Sequence, residues 1–232
     1  MHIHGAIALV TGANRGLGRH FTQQLLERGA AKVYATARRP ELIDIPGVQT
    51  LRLDITDPAS IVAAAEVATD VNLQVNNAGL KTGADLVTGD LDLIRLELDT
   101  HFWGTLRMIR AFAPQLGGGA ILNVLSAMSW FNYAGTNAYG VAKAAEWNLT
   151  NGVRLELDSQ GTLVTGLHLG AADTDMSADY DGDKVDPALI VRAALDGIEE
   201  NRLEVVADEW SAHVKASLAG DPSRFYQLSG RP

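Results

Sequence analysis

The chain has no cysteine, which excludes disulfides, cysteine nucleophiles and any dehydrogenase built on a zinc–thiolate centre. Positive charge is scarce. Nineteen Lys and Arg face 28 Asp and Glu, for a net charge of −9, so no broad nucleic-acid surface is expected and any anion site must rest on individual arginines. No apolar run reaches the length of a membrane span, so no membrane contact is predicted. Met1-His2-Ile3-His4-Gly5 leads straight into an apolar strand without a basic region; no secretion signal is expected, and the chain is read as cytoplasmic. His2 and His4 share one strand face at the terminus and are read as solvent-facing. Asp179-Tyr180-Asp181-Gly182-Asp183 looks like a calcium loop only superficially, because its glycine is misplaced and Ile190 stands where the twelfth-position glutamate is needed. No metal site is predicted, and the aspartate-rich stretch 173–186 reads as a mobile, solvated loop.

What is present is apolar patterning. Hydrophobic residues make up 47% of 232, enough for one three-layer core, and 1–232 reads as a single domain. Runs suited to buried parallel strands recur at Ala6–Val10, Lys32–Ala37, Val48–Leu53, Leu73–Asn76, Ala120–Leu125, Leu163–Leu169 and Leu203–Ala207. Helical segments separate most of them: Arg19–Arg28 stops at Gly29, and Asp57-Pro58 and Asp186-Pro187 are cap-then-proline starts. The short link Arg38–Gly47 leaves room for one helical turn at most. The pattern predicts an α/β fold, a doubly wound Rossmann arrangement with about seven parallel strands, and ligands beyond the carboxyl ends of the strands.

Two motifs carry chemistry. Thr11-Gly12-Ala13-Asn14-Arg15-Gly16-Leu17-Gly18 follows the first strand and opens the first helix, the context in which glycines let backbone N–H groups approach a pyrophosphate. At the end of the second strand, Ala37 occupies the place of the acidic residue that binds an unphosphorylated ribose, and Arg38 and Arg39 follow. With Arg15 they offer guanidinium forks to a 2′-phosphate, so NADP(H) is the predicted cofactor. Farther on, Ser126 precedes Tyr139 by thirteen residues and Lys143 follows four later. On a helix, Tyr139 and Lys143 share a face, and a fixed cation there is expected to lower the phenol from its ordinary pKa of about 10 toward neutrality. With the Ser126 hydroxyl aimed at the same oxygen, these groups suit a carbonyl/carbinol pair.

The joint order of these motifs, with Leu53-Asp54-Ile55 after the third strand and Asn76-Asn77-Ala78-Gly79 after the fourth, resembles that of the short-chain dehydrogenase/reductase family. The resemblance runs from Ala6 to about Asp208. It implies that Asp54 and Ile55 contact adenine, that Asn77, Ala78 and Gly79 line the cofactor cleft, that Thr174 lies near the carboxamide, and that Lys143 binds the nicotinamide ribose. Two departures stand out. Aligning on Gly104 puts His101 where the family has an asparagine that holds a relay water, and Leu169-Gly170 replaces the usual proline–glycine, which puts the path of the nicotinamide loop in question.

The resulting expectation is an NADPH-dependent carbonyl reductase with Ser126, Tyr139, Lys143 and His101 at its reactive end. Met128, Trp130, Phe131 and Tyr133 form the substrate wall for an apolar ketone or aldehyde. An NADP(H) sensor without turnover and a 3-oxoacyl thioester reductase are the alternatives. Leu91–Gln115 and Ala138–Leu157 are amphipathic, and the family commonly pairs such helices into homodimers or homotetramers. Trp147 and Trp210 read as packing residues.

Overall fold

A computed structural model describes residues 1–226. Seven strands, all parallel, form one sheet: β1 (Ile7–Thr11), β2 (Lys32–Ala37), β3 (Gln49–Arg52), β4 (Leu73–Asn76), β5 (Ala120–Val124), β6 (Leu163–His168) and β7 (Glu204–Val206), in the order β3-β2-β1-β4-β5-β6-β7. The helices are α1 (Gly16–Glu27), α2 (Pro58–Val67), α3 (Leu91–Leu98), α4 (Thr105–Phe112), α5 (Asn137–Glu156), α6 (Pro187–Glu199), α7 (Glu209–Ser217) and α8 (Pro222–Tyr226). None of the described helices is long and apolar enough to cross a membrane.

Strand alternation divides the core into two layers. Ala8, Val10, Val33 and Ala35 pack with Phe21 and Leu25 of α1 and with Ile190, Val191 and Leu195 of α6. On the opposite face Leu9, Ile121 and Val164 meet Ile61 of α2, Met108 and Phe112 of α4, and Val153 of α5. Burial of β1, β2, β4, β5 and β6 along nearly their whole length explains why those segments are near-continuous apolar runs, whereas the edge strand β3 is mostly exposed. The expected helix starts are present: Asp57 accepts from Ala59 N–H at 2.9 Å and Asp186 from Ala188 N–H at 2.8 Å, each ahead of a proline. The short link carries one 3₁₀ turn, Pro40–Leu42.

Leu91–Gln115 differs from the single helix its periodicity suggests. Between α3 and α4 lies a π-helical stretch, Asp99–Gly104, and a 3₁₀ turn with Pro114 ends the run. A π turn inserts an extra residue into the helical ladder, and here the inserted stretch carries His101 to Gly79. A Cβ at Gly79 would come within 2.6 Å of the His101 ring.

Candidate active site

The sheet order changes direction between β1 and β4, and the loops leaving those strands meet there. The Thr11 hydroxyl accepts from Asn77 N–H and Ala78 N–H, each at 2.9 Å, and Asn77 Nδ2 donates to Thr11 O at 2.9 Å. Gly12 and Gly16 take positive φ, +67° and +52°, and a Cβ at Gly12 would press on Ala78 at 3.1 Å. No side chain caps α1, so its first-turn N–H groups face the cavity above.

That cavity, about 1910 Å³, runs along the carboxyl ends of the strands. Gly12, Asn14, Arg15, Gly16, Leu17, Ala37, Arg38, Asp54, Ile55, Asn77, Ala78, Gly79 and Thr174 all line it. Gly18 does not. A side chain there would strike Gly12 O and Asn77 Nδ2, so its smallness seats α1 against the loop. Asp54 accepts from Thr56 N–H at 3.0 Å and Thr56 Oγ1 at 2.7 Å. Burial opposes its charge, but those bonds, with Arg38 and Arg52, hold its carboxyl below the usual range. Arg15 pairs with Asp175 at 3.3 Å, with both side chains exposed, an arrangement worth little in water. Uncapped N–H groups, positive-φ glycines and the Arg38 and Arg39 side chains at the cavity wall fit a dinucleotide.

At the inner end, the cavity is lined by Ser126, Tyr139, Lys143 and His101. Ser126 caps the turn after β5: its Oγ accepts from Met128 N–H at 3.1 Å and donates only loosely to Leu169 O, at 3.5 Å. Lys143 Nζ lies 5.8 Å from the Tyr139 ring centroid, on the same helix face. It donates to Val124 O and to Glu146 Oε2, each at 2.7 Å. Burial opposes the ammonium, but the Glu146 carboxylate and the Tyr139 phenol outweigh it and hold Lys143 above its ordinary value.

Tyr139 departs from expectation. Burial raises the phenol and Lys143 lowers it; Glu146 and Glu97 then raise it, and the Ser126 hydroxyl lowers it, so the phenol lies above its ordinary value. The cation's acidifying effect is present but outweighed. The carboxylates responsible were not singled out from the sequence, although their spacing was visible: Glu146 is three residues after Lys143, and Glu97 four before His101. Leu169, in place of proline, is buried, and its carbonyl accepts from Ala127 N–H at 2.8 Å. The Gly170 N–H that follows donates to Asp208 at 2.7 Å, tying this loop to the start of α7.

Met128, Phe131 and Tyr133 line the cavity, but Trp130 does not. Trp130 stacks on His168 at 3.9 Å, with Trp147 edge-on at 6.2 Å. Trp210, read from the sequence as packing, does line the cavity, along with His213, Phe225 and Tyr226. Phe131 meets Trp210 at 5.8 Å and Phe225 at 5.6 Å. The 173–186 stretch is pinned at its base, where Asp173 N–H donates to Val185 O at 2.9 Å and Val185 N–H to Ala171 O at 2.8 Å. Its Met176 and Tyr180 reach the cavity.

A parallel sheet wound in this order, with a glycine-rich turn at its switch point, is the scaffold of a dinucleotide-dependent oxidoreductase. The family model for short chain dehydrogenase matches residues 6–184, and the chain belongs to that family, whose members use nicotinamide cofactors. Among solved structures, a short-chain dehydrogenase from Burkholderia cenocepacia in complex with NADP is 35% identical, with a TM-score of 0.95 over 100% of both chains. An NADPH-dependent 1-acyldihydroxyacetone phosphate reductase of Schizosaccharomyces pombe is 33% identical over 184 residues, which are 73% of this chain and 61% of that enzyme. A 3-oxoacyl-acyl-carrier-protein reductase of Vibrio cholerae is 32% identical over 197 residues, 76% of this chain and 78% of the relative.

Proposed function

We propose that this protein is an NADPH-dependent carbonyl reductase acting on apolar ketones or aldehydes, with residues 1–232 forming one catalytic and cofactor-binding domain. The observation that carries the reading is a single cavity with the glycine loop and Arg38 along its wall and Ser126, Tyr139 and Lys143 at its inner end. A nicotinamide held in this cavity would supply the hydride. Tyr139 donates its phenolic proton to the carbonyl oxygen as that oxygen gains charge. The loosely held Ser126 hydroxyl turns toward the same oxygen and stabilises it. Lys143 keeps one N–H for a ribose hydroxyl, its other two being committed to Val124 O and Glu146. A phenol held above its ordinary value carries the proton that the carbonyl oxygen takes up on reduction.

Arg38 and the exposed Arg15 are the groups for a 2′-phosphate, and the NADP-bound and NADPH-dependent relatives support that choice. Apolar and aromatic substrates suit a chamber walled by Met128, Phe131, Tyr133, Trp210 and Phe225. The 3-oxoacyl thioester reading is kept as a second one, because the Vibrio cholerae relative reduces that class. Trp103, Leu91 and Leu155 are half or more exposed on α3–α5 and the π-helical stretch between them, and they support assembly into a homodimer or homotetramer; the cytoplasm is the compartment proposed for it. The test is NADPH oxidation across a panel of apolar ketones and 3-oxoacyl thioesters. Turnover of ketones is expected. Arg38→Asp should weaken NADPH use and improve NADH use, and nucleotide binding without turnover of any carbonyl would favour a sensor instead.

A further inference from the structure

The hydrogen-bonded ladder between β6 and β7 ends where Ala207 N–H donates to His168 O at 2.9 Å. Beyond that rung one side chain joins the two segments. Asp208 Oδ2 accepts from Gly170 N–H at 2.7 Å and from Ser211 Oγ at 3.0 Å, and its Oδ1 accepts from Ser211 N–H at 2.8 Å. The bond from Ser211 N–H is the N-cap of α7, so one carboxylate both starts that helix and holds the turn after β6 to it. The fit is close. A Cβ at Gly170 would lie 3.2 Å from Trp210 Cδ1 and 3.3 Å from Asp208 Oδ1, so the missing side chain lets the indole and the carboxylate sit against this turn together.

The two segments that Asp208 joins carry different parts of the site. On one side, Leu169 O accepts from Ala127 N–H at 2.8 Å and from the Ser126 hydroxyl at 3.5 Å, so the turn held by Asp208 is the one against which Ser126 rests. On the other side stands the aromatic wall, where Trp210 meets Phe131 at 5.8 Å, His213 at 5.7 Å and Phe225 at 6.4 Å. Leu169, Gly170, Asp208 and Trp210 all line the cavity. Among the described residues, the bond from Gly170 N–H to Asp208 is the only hydrogen bond between the turn 169–172 and the segment 208–217. A ketone whose ring packs on this wall has its carbonyl carried toward or away from Ser126 by any shift of the wall, and a misplacement of about 1 Å can cost about 10²-fold in rate.

We infer that Asp208, through its bond to Gly170 N–H, is a positioning residue that braces the Trp210 wall against the Ser126 end of the cavity and so fixes which face of an aromatic ketone is presented for reduction. The inference rests on the reductase reading above and names what orients the substrate in it. Asp208 acts through Gly170 and Trp210. Its effect therefore falls on substrates that have a ring to lay on the wall and spares those that have none.

Asp208→Asn tests this, because the amide keeps the volume but offers one accepting oxygen where three donors converge on two. Reduction of acetophenone, which has a ring for the wall, is compared with that of acetone, which has none. With acetophenone, kcat/KM should fall by about 10- to 100-fold, severalfold more than with acetone, and the ratio of the two 1-phenylethanol enantiomers should move toward one. Loss of stability alone would not change that ratio. Ser211→Ala, which removes one of the bonds steadying the carboxylate, should act in the same direction by less, and it serves if Asp208→Asn does not fold. Equal losses on both ketones with the wild-type enantiomer ratio, in a folded variant, overturn the inference. A wild type that reduces no ketone counts against the reductase reading instead, and the brace is then read without turnover. Acrylamide quenching of Trp210, taken as the difference from the matched Trp210→Phe protein, should rise in Asp208→Asn, and unchanged quenching overturns the inference.

Discussion

At Ser126 a hydroxyl must be held in place yet stay free to donate, and the residue beneath it does the holding. His168 Nδ1 lies 3.0 Å from Ser126 O and donates to it, while the ring is stacked on Trp130. Its Nε2 is 3.7 Å from Glu204 Oε1, short of a hydrogen bond, and the charges of Lys215 and Lys143 oppose the pull of Glu204. Burial pushes the imidazole down from 6.5 to about 4, against the pull of the Ser126 carbonyl and Glu204. A histidine whose pKa falls on folding takes up its proton more readily when unfolded. Its contribution is therefore complete above pH 6.5 and is lost as pH falls toward 4, an effect of about 3 kcal/mol at most. Denaturant unfolding across that window should show stability falling with acid in the wild type and falling less in His168→Phe, which keeps a ring against Trp130 but cannot titrate. Equal pH slopes would remove His168 from the account.

Helix α5 carries Tyr139 and Lys143, and what fixes its height over the sheet is a buried polar ladder. Gln74 Nε2 donates to Asn76 Oδ1 at 2.9 Å, Asn76 Nδ2 to Asn123 Oδ1 at 2.8 Å, Asn123 Nδ2 to Thr150 Oγ1 at 2.9 Å, and Thr150 Oγ1 to Glu146 O at 2.8 Å. Each rung is buried, so removing one strands its neighbours. Asn123→Leu should cost about 2 to 4 kcal/mol in denaturant unfolding. A cost near zero would mean that apolar packing alone seats the helix. The sequence showed little of this, because Asn123 sits in an apolar run as one polar residue whose partners come from β4 and α5. The local signals were easier to see: the Asp-Pro starts of α2 and α6 depend only on adjacent residues. The π-helical stretch was hidden, since its apolar spacing matches an ordinary helix and only contact with Gly79 and Ile55 favours the extra residue.

Across the whole molecule, the parallel strands and the glycine turn were legible because buried strands and tight turns leave marks in local composition. Ser126, Tyr139 and Lys143 were legible as a fixed spacing on one strand–loop–helix unit. The charge around them was not. Glu97 reaches the site from α3, and an i, i+3 Lys–Glu pair such as Lys143–Glu146 reads in sequence as a solvated surface pair. The aromatic chamber was half visible for a similar reason: Phe131 and Tyr133 follow Ser126 closely, whereas Trp210 and Phe225 arrive from α7 and α8 and meet Phe131 only in the fold.

The parts come together at one phenolic oxygen, and the most direct measurement is single-turnover hydride transfer from NADPH to a ketone by Tyr139→Phe, with NADPH affinity measured alongside. The account predicts a rate lower by about 10² to 10⁴ with NADPH still bound. A rate close to that of the wild type would contradict it.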